Sequence, residues 1–302
     1  MSGEYDFVAE AQLTMSCASC GKSELDDIKL MDCDGCDLVR YCSGECKEDH
    51  QTKHEGKCKE RAAELRDEIL FKQPESSHEG DCPICCVPLP FEGDKKRLNS
   101  CCGKIICNGC STANEIRQFQ QNMQITCPFC RHPPPTTQEE FDKKLMERVS
   151  ANDPNALCKL GHIYCKKGDY DGAFKYWTKA ADLGDANAHY NLSVLYSEGQ
   201  GVEKDEKKKI FHLEEAAIAG HPSARYNLAN HEGRNKKFDR AVQHWLIGAN
   251  LGHDKSLQEL KACYKDGVIS KEDFASALRA HHDAVNAMKS PQREAAERVS
   301  EK

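Results

Sequence analysis

From about residue 138 onward, apolar and polar positions alternate with a helical period. Phe141, Leu145 and Val149 recur one turn apart, and Asn152-Asp153-Pro154 then supplies a cap followed by a first-turn proline. The pattern that follows repeats. Aligned on Leu183-Gly184, Ala219-Gly220 and Leu251-Gly252, it recurs at spacings of 36 and 32 residues, within the range of helix-turn-helix solenoids. Leu160, Leu192, Leu228 and Leu260 align in the first helix of each unit, with Tyr164, Tyr196 and Tyr264 one turn later and Glu232 in the odd place. In the second helices the small pairs Ala180-Ala181, Ala216-Ala217 and Gly248-Ala249 stand where neighbouring helices must approach closely. Each terminal glycine can take the left-handed conformation that ends a helix. Four units are visible, the last degenerate. Trp177, Trp245 and the tyrosines fall at periodic positions and are assigned to the core, while His162, His189, His212, His221, His244, His281 and His282 lack metal-like spacing and read as surface or core polar groups.

The first half shows no such period. A charged stretch over residues 61–71 reads as helix, and a polar hinge with Pro74, Ser76 and Ser77 follows it. Pro133-Pro134-Pro135 forms a stiff break before the repeats. The chain has 302 residues, enough for two or three domains. Of its 19 cysteines, 16 fall before position 131, and that asymmetry marks a domain boundary. No segment approaches the eighteen or so apolar residues of a membrane span. The N-terminus MSGEYDFVAEAQL has acids where a secretory signal needs basic and apolar residues. An intracellular location, cytoplasmic or nuclear, is therefore expected, where cysteine pairs hold metal in preference to forming disulfides. The formal charge is −7, and fifteen zinc-bound thiolates with four Zn²⁺ would bring it to about −14. That balance argues against phosphate backbones as partners.

The first cysteine cluster runs Cys17-x-x-Cys20, Cys33-x-x-Cys36, Cys42-x-x-x-Cys46 and His54-x-x-x-Cys58. Eight ligands make two tetrahedral sites, and so short a segment has too few large apolar residues to fold without such staples. With Tyr41-Cys42-Ser43 and the closing His54 and Cys58, residues 17–58 resemble the MYND zinc finger. The resemblance implies interleaved sites: Cys17, Cys20, Cys42 and Cys46 at one zinc, and Cys33, Cys36, His54 and Cys58 at the other. His50 is a rival ligand, four residues before His54. Fingers of this family bind short proline-containing peptides and do no chemistry. Where the family has an aromatic residue shortly before the ligand histidine, this chain reads Asp49-His50-Gln51-Thr52, so a purely structural zinc knot stands beside the peptide-binding reading.

A second cluster comprises Cys82-Pro83-Ile84-Cys85, then Cys101-Cys102-Gly103-Lys104, Cys107-x-x-Cys110 and Cys127-Pro128-Phe129-Cys130-Arg131. Over residues 81–132 this order resembles a RING finger. The resemblance implies a cross-braced pair of sites, with Cys82, Cys85, Cys107 and Cys110 at one zinc and Cys101, Cys102, Cys127 and Cys130 at the other. Where most RINGs have Cys-Gly-His, the chain has Cys102-Gly103-Lys104. A protonated lysine cannot ligate zinc, and the adjacent Cys101 can fill the gap. Cys86 is left over and reads as a free structural thiol.

The RING resemblance implies ubiquitin transfer without a covalent intermediate: the module docks a ubiquitin-conjugating enzyme and holds its ubiquitin in a reactive pose. Ile84 and Pro128 map to the family's docking residues, and Arg131 to its ubiquitin clamp, where a planar multi-donor fork can bridge two proteins. No catalytic residue of the chain's own is expected. Ala156-x-x-x-Leu160-Gly161-x-x-Tyr164 and Gly199-x-Gly201-Val202-x-x-Asp205 resemble the Sel1-like repeat, a relative of the tetratricopeptide repeat, which uses its concave face to hold other proteins. A MYND-type lysine methyltransferase is excluded because no room is left for its catalytic domain.

The expected architecture is multidomain: two small cross-braced double-zinc modules followed by an all-α helical-repeat solenoid. The boundaries are a MYND-like finger at 12–60, a helical linker at 61–80, a RING-like finger at 81–132, a proline-rich break and linker helix at 133–151, repeats at 152–289 and a flexible tail at 290–302. About four zinc ions are expected. The leading functional expectation is a ubiquitin ligase that recruits substrates through its finger and repeats, and the alternative is a non-catalytic zinc-dependent adaptor.

Overall fold

The computed structural model describes residues 16–22 and 29–300. The acidic N-terminal stretch, the expected leading edge of the first module at 12–15, residues 23–28 and the last two residues lie outside the described residues. The chain divides into two units, residues 1–72 and 73–302.

In the first unit, β1 (Met31–Asp32) and β2 (Arg40–Tyr41) pair antiparallel with Met31 opposite Tyr41. The helix α1 (Gly44–Leu70) begins after Ser43, whose hydroxyl accepts the Cys46 amide at 3.2 Å and satisfies a first-turn donor. Charge pairs rather than an apolar stripe line this helix, and Arg61 reaches Asp37, Glu64 and Glu68. The buried cluster of the unit is Leu30, Val39 and Tyr41 around Cys17 and Cys36. Three apolar side chains are too few to hold a fold of this length, so the sulfur-lined centre must carry it.

The second unit opens with the hairpin of β3 (Lys96–Asn99) and β4 (Lys104–Cys107), with Lys96 opposite Cys107 and Asn99 opposite Lys104. Helix α2 (Asn108–Gln120) starts directly from β4. After the proline break come α3 (Gln138–Ser150) and four helix hairpins. These are α4 (Pro154–Lys166) with α5 (Tyr170–Asp182), then α6 (Ala186–Glu198) with α7 (Glu206–Ile218). The last two are α8 (Pro222–Arg234) with α9 (Phe238–Asn250), and α10 (Asp254–Lys265) with α11 (Lys271–Ala287).

One two-residue device turns the chain into each new hairpin. Asn152, Gly184, Gly220 and Gly252 have φ of 54°, 84°, 86° and 88°, and each is followed by the N-cap of the next helix, Asp153, Asp185, His221 and His253. Glycine enters this left-handed region without a Cβ clash, and asparagine tolerates it better than other residues. Between the turns, Leu157, Trp177, Leu192 and Leu195 pack against Ala180 and Ala181. The Trp177 indole donates to Cys158 O at 3.2 Å, and Trp245 is half-buried against the Leu260 and Ala277 cluster.

The end of the chain departs from the expected flexible tail. Residues Pro291–Ser300 form α12, which packs on α2, and Arg293 is only 8% exposed. The sequence gives no apolar run there because what the helix buries is an arginine and Ala296.

The cysteine-rich segment of this unit is seated on the repeats. His78 N donates to Gly220 O at 3.2 Å, and its ring stacks on His221 with centroids 4.2 Å apart. Glu79 accepts from His78 Nε2 at 3.0 Å and pairs with Lys96. Burial pushes the Glu79 carboxyl up, but the bonds and charges of His78 and Lys96 outweigh it and hold it down at about 2. On a second side, Arg148 Nη2 donates to Cys101 O at 2.7 Å and Asn155 Nδ2 to Gly103 O at 3.3 Å.

Candidate metal centres

Three of the cysteine pairs fold into the same turn. Gly21, Cys86 and Arg131 each donate their amide to the carbonyl of the cysteine four residues earlier, at 2.8, 2.8 and 3.0 Å. The amides of those cysteines, Cys17, Cys82 and Cys127, donate in return to Lys22, Val87 and His132 at 2.8, 3.0 and 2.8 Å. The residue after the second cysteine has positive φ in all three: 74° at Gly21, 54° at Cys86 and 59° at Arg131. This closed turn aims both thiols of a Cys-x-x-Cys pair to one side. The leftover Cys86 is the residue that completes such a turn, and it is exposed.

The other donors come from element ends. Cys107 caps α2, its sulfur accepting the Cys110 amide at 3.4 Å, so both sit at the positive end of a helix dipole. Cys46, His54 and Cys58 project from α1. Cys101 and Cys102 share the turn between β3 and β4, where the Cys102 and Gly103 amides both donate to Asn99 O.

Four quartets result, each with its ligand atoms within 4.8 Å of one another: Cys17, Cys20, Cys42 and Cys46; Cys33, Cys36, His54 and Cys58; Cys82, Cys85, Cys107 and Cys110; Cys101, Cys102, Cys127 and Cys130. Both modules are thus cross-braced. Cys101 and Cys102 enter the same quartet although adjacent, Cys102 Sγ lying 3.8 Å from Cys127 Sγ and Cys101 Sγ 3.3 Å from Cys130 Sγ. Lys104 is exposed on β4. His54 Nε2 lies 3.2 Å from Cys36 Sγ, whereas the rival His50 turns Nδ1 to the Tyr41 hydroxyl at 3.2 Å.

The donor sets fit zinc. A Zn–S bond of about 2.3 Å in a tetrahedron places sulfurs about 3.8 Å apart, against about 2.0 Å in a disulfide. The sulfur pairs Cys20–Cys42, Cys33–Cys58, Cys42–Cys46 and Cys85–Cys107 stand at 3.5, 3.6, 3.6 and 3.9 Å, and all nineteen cysteines are free. The thiols also titrate as a crowded set. Burial pushes Cys17 up, but amide hydrogen bonds led by Cys20 and Cys42 outweigh it and bring it down to about 6. Its neighbour Cys42 is pushed up to about 12 by hydrogen bonding to Cys20 and Cys17. The first thiolate is easy to form and the next is opposed, a conflict that a bound dication removes.

Of the residues expected to dock a partner, Ile84 is 42% exposed on the first knuckle of the second module, and Pro128 and Arg131 are exposed on the equivalent last knuckle. Further apolar side chains of the same module are exposed. Phe119 is 78% exposed, with Ile116, Met123, Ile125 and Phe129 also open to solvent. Ile116 and Phe119 stand three apart on α2, a spacing that sets two side chains on one helix face, whereas Met123 and Ile125 lie beyond its end. Among the described residues, no helix is long and apolar enough to cross a membrane.

Comparison with known proteins places these features. Residues 17–58 match the MYND finger family, and residues 154–185, 186–221 and 222–253 match the Sel1 repeat family. Over 175 residues the chain is 26% identical to DAP3-binding cell death enhancer 1 of Mus musculus, covering 45% of this chain and 34% of that protein. Over 51 residues it is 45% identical to the ERAD-associated E3 ubiquitin-protein ligase component HRD3B of Arabidopsis thaliana, covering 15% of this chain and 8% of that protein. The chain therefore spans about a third or less of the length of these curated relatives. The solved Sel1 repeat protein from Oxalobacter formigenes aligns with a TM-score of 0.44 and 22% identity, over 59% of this chain and 74% of that one. This chain carries a MYND finger and a second cysteine-rich, zinc-binding segment ahead of an all-helical Sel1 repeat solenoid, the makeup of a protein-interaction scaffold.

Proposed function

We propose that this chain is a zinc-stapled adaptor in which the repeats hold one partner protein and the second cysteine module presents an apolar face to another. The observation that carries this reading is the seating of the module on the repeats, through His78 on Gly220 and His221 and through Arg148 on Cys101. A partner on the solenoid and a partner on the module are then held at a fixed separation, and fixed separation raises the effective concentration of one for the other. In each quartet the four side chains act as zinc ligands, and the metal supplies folding energy that the small apolar clusters lack. The likeness to a protein named for binding DAP3 supports a partner-holding role. The MYND finger adds a third surface, for a proline-containing peptide.

A second reading, a RING-type ubiquitin ligase, is favoured by the exposure of Ile84, Pro128 and Arg131 on the two knuckles. In it, Ile84 and Pro128 dock a ubiquitin-conjugating enzyme and Arg131 clamps ubiquitin. The short likeness to a component of a ubiquitin-protein ligase speaks for the same setting. One assay separates the two readings: full-length, zinc-loaded protein incubated with activating enzyme, a panel of conjugating enzymes, ubiquitin and ATP. The adaptor reading expects no chains above the level without this protein. Chains that form and then disappear with Ile84→Ala would overturn it in favour of transfer.

A further inference from the structure

The first quartet of the second module has a partner far along the chain, 208 residues after Cys85. Arg293, on α12, is 8% exposed. Its Nη1 donates to Pro88 O at 2.6 Å and its Nη2 to Val87 O at 2.9 Å. The same Nη2 lies 3.7 Å from Cys85 Sγ. Nη1 also donates to Met288 O at 2.6 Å, which ties the guanidinium to the end of α11. Val87 is the residue whose carbonyl closes the knuckle by accepting the Cys82 amide. Arg293 therefore touches one ligand sulfur and the backbone that orients two.

The approach of α12 is itself specified in the sequence of α2. A Cβ at Gly109 would lie 2.7 Å from Arg293 N and 2.9 Å from its Cα. Position 109 lies between Cys107 and Cys110, so the absence of a side chain there lets the arginine backbone sit directly against the metal-binding turn. Lys95 and Glu297 pair at 3.3 Å along the same seam.

Four thiolates around one Zn²⁺ leave a net charge of about −2. Such a cluster, partly buried, is stabilised by donors to its sulfurs, and a guanidinium supplies positive charge and several N–H groups in one rigid plane. Groups that hold metal ligands in place in this way change metal affinity by about 10- to 100-fold when removed. We propose that Arg293 is a positioning residue for the zinc held by Cys82, Cys85, Cys107 and Cys110, and that α12 is the latch that makes retention of this ion depend on the C-terminal end of the chain. The latch joins the solenoid's last helices to the module, so a partner that displaces α12 would loosen one zinc and leave the other three in place.

This inference rests on Cys82, Cys85, Cys107 and Cys110 being zinc ligands, and the test keeps the two ideas apart. Full-length protein is first counted for zinc, then mixed with a chromophoric chelator in excess, and release is followed in time. Fewer than four equivalents in the wild-type protein would contradict the ligand assignment and the latch built on it. With four present, Arg293→Met is expected to release one equivalent about 10- to 100-fold faster while three leave at the wild-type rate. Arg293→Lys, which keeps the charge and loses the fork, should fall between. Gly109→Ala retains the arginine but lifts the helix, and should reproduce the Arg293→Met phase through a different contact. Hydrogen exchange should show lost protection over residues 82–90 with the repeat amides unchanged. Release curves that superimpose on wild type for both Arg293→Met and Gly109→Ala would overturn the latch, as would a uniform acceleration of all four equivalents.

Discussion

At the scale of single residues, the knuckles explain why particular side chains stand where they do. Cys86 reads in the sequence as a leftover structural thiol, and its φ of 54° and its amide bond to Cys82 O give it a backbone task. The equivalent position in the first module is Gly21, with φ 74°. A left-handed residue other than glycine costs roughly 1–2 kcal/mol, and a β-branched one more. Cys86→Gly is therefore expected to stay within about 1 kcal/mol of wild type, because relief of strain offsets the added freedom of the unfolded chain. Cys86→Val should lose roughly 1–2 kcal/mol. Thermal unfolding with a zinc count on each variant checks this, and loss of an ion in Cys86→Gly would mean that its sulfur is a ligand after all. The spacing Cys82-x-x-Cys85 singles out Cys85 as the ligand, whereas the backbone task of Cys86 shows only once the turn is known.

At the scale of elements, most of the repeat architecture could be read in advance, because leucine period, small pairs and terminal glycines are local signals. The capping chemistry was less visible. Two of the four equivalent caps are Asp153 and Asp185, and two are His221 and His253, which accept helix amides through Nδ1 from Ala224 and Ser256, each at 3.3 Å. A histidine can cap only while that nitrogen is unprotonated. Burial pushes His253 from its ordinary 6.5 down to about 4, with Lys255 and His281 acting in the same direction and Asp254 against it. Burial and the nearby His78 push His221 well down too. Because the folded value is depressed, the unfolded chain takes up the proton first. The stabilisation is full above about 6.5 and is lost as pH falls toward about 4. Asparagine caps without titrating there, so denaturant titrations from pH 7 to pH 4 should show a shallower decline for His253→Asn than for wild type. Parallel curves would mean that this cap carries no pH dependence. The helix α12 was the element missed outright, since a segment whose buried anchor is an arginine offers no apolar periodicity to detect.

At the scale of the whole molecule, the repeats and the cysteine-rich segments are stabilised in different ways. Repeats bury leucine, alanine and tryptophan in a continuous layer and need no metal. The cysteine-rich segments bury little beyond sulfur, Leu30, Val39 and Tyr41 in one case and Leu89 and Ile106 in the other. Pair spacing made the ligand pairs legible in the sequence, and the resemblance to MYND and RING fingers implied their grouping into quartets. The seating of the second module on the repeats was not, because His78, Glu79, Arg148 and Asn155 reach across long stretches of chain through single polar contacts. Both cysteine-rich segments depend on bound metal for their fold. Native mass spectrometry of the intact chain, prepared without chelator, measures it most directly. Four Zn²⁺ should be bound at neutral pH, and the mass after acid release should correspond to nineteen free thiols. A metal-free native mass, two units lighter for each bridged pair of cysteines, would contradict it.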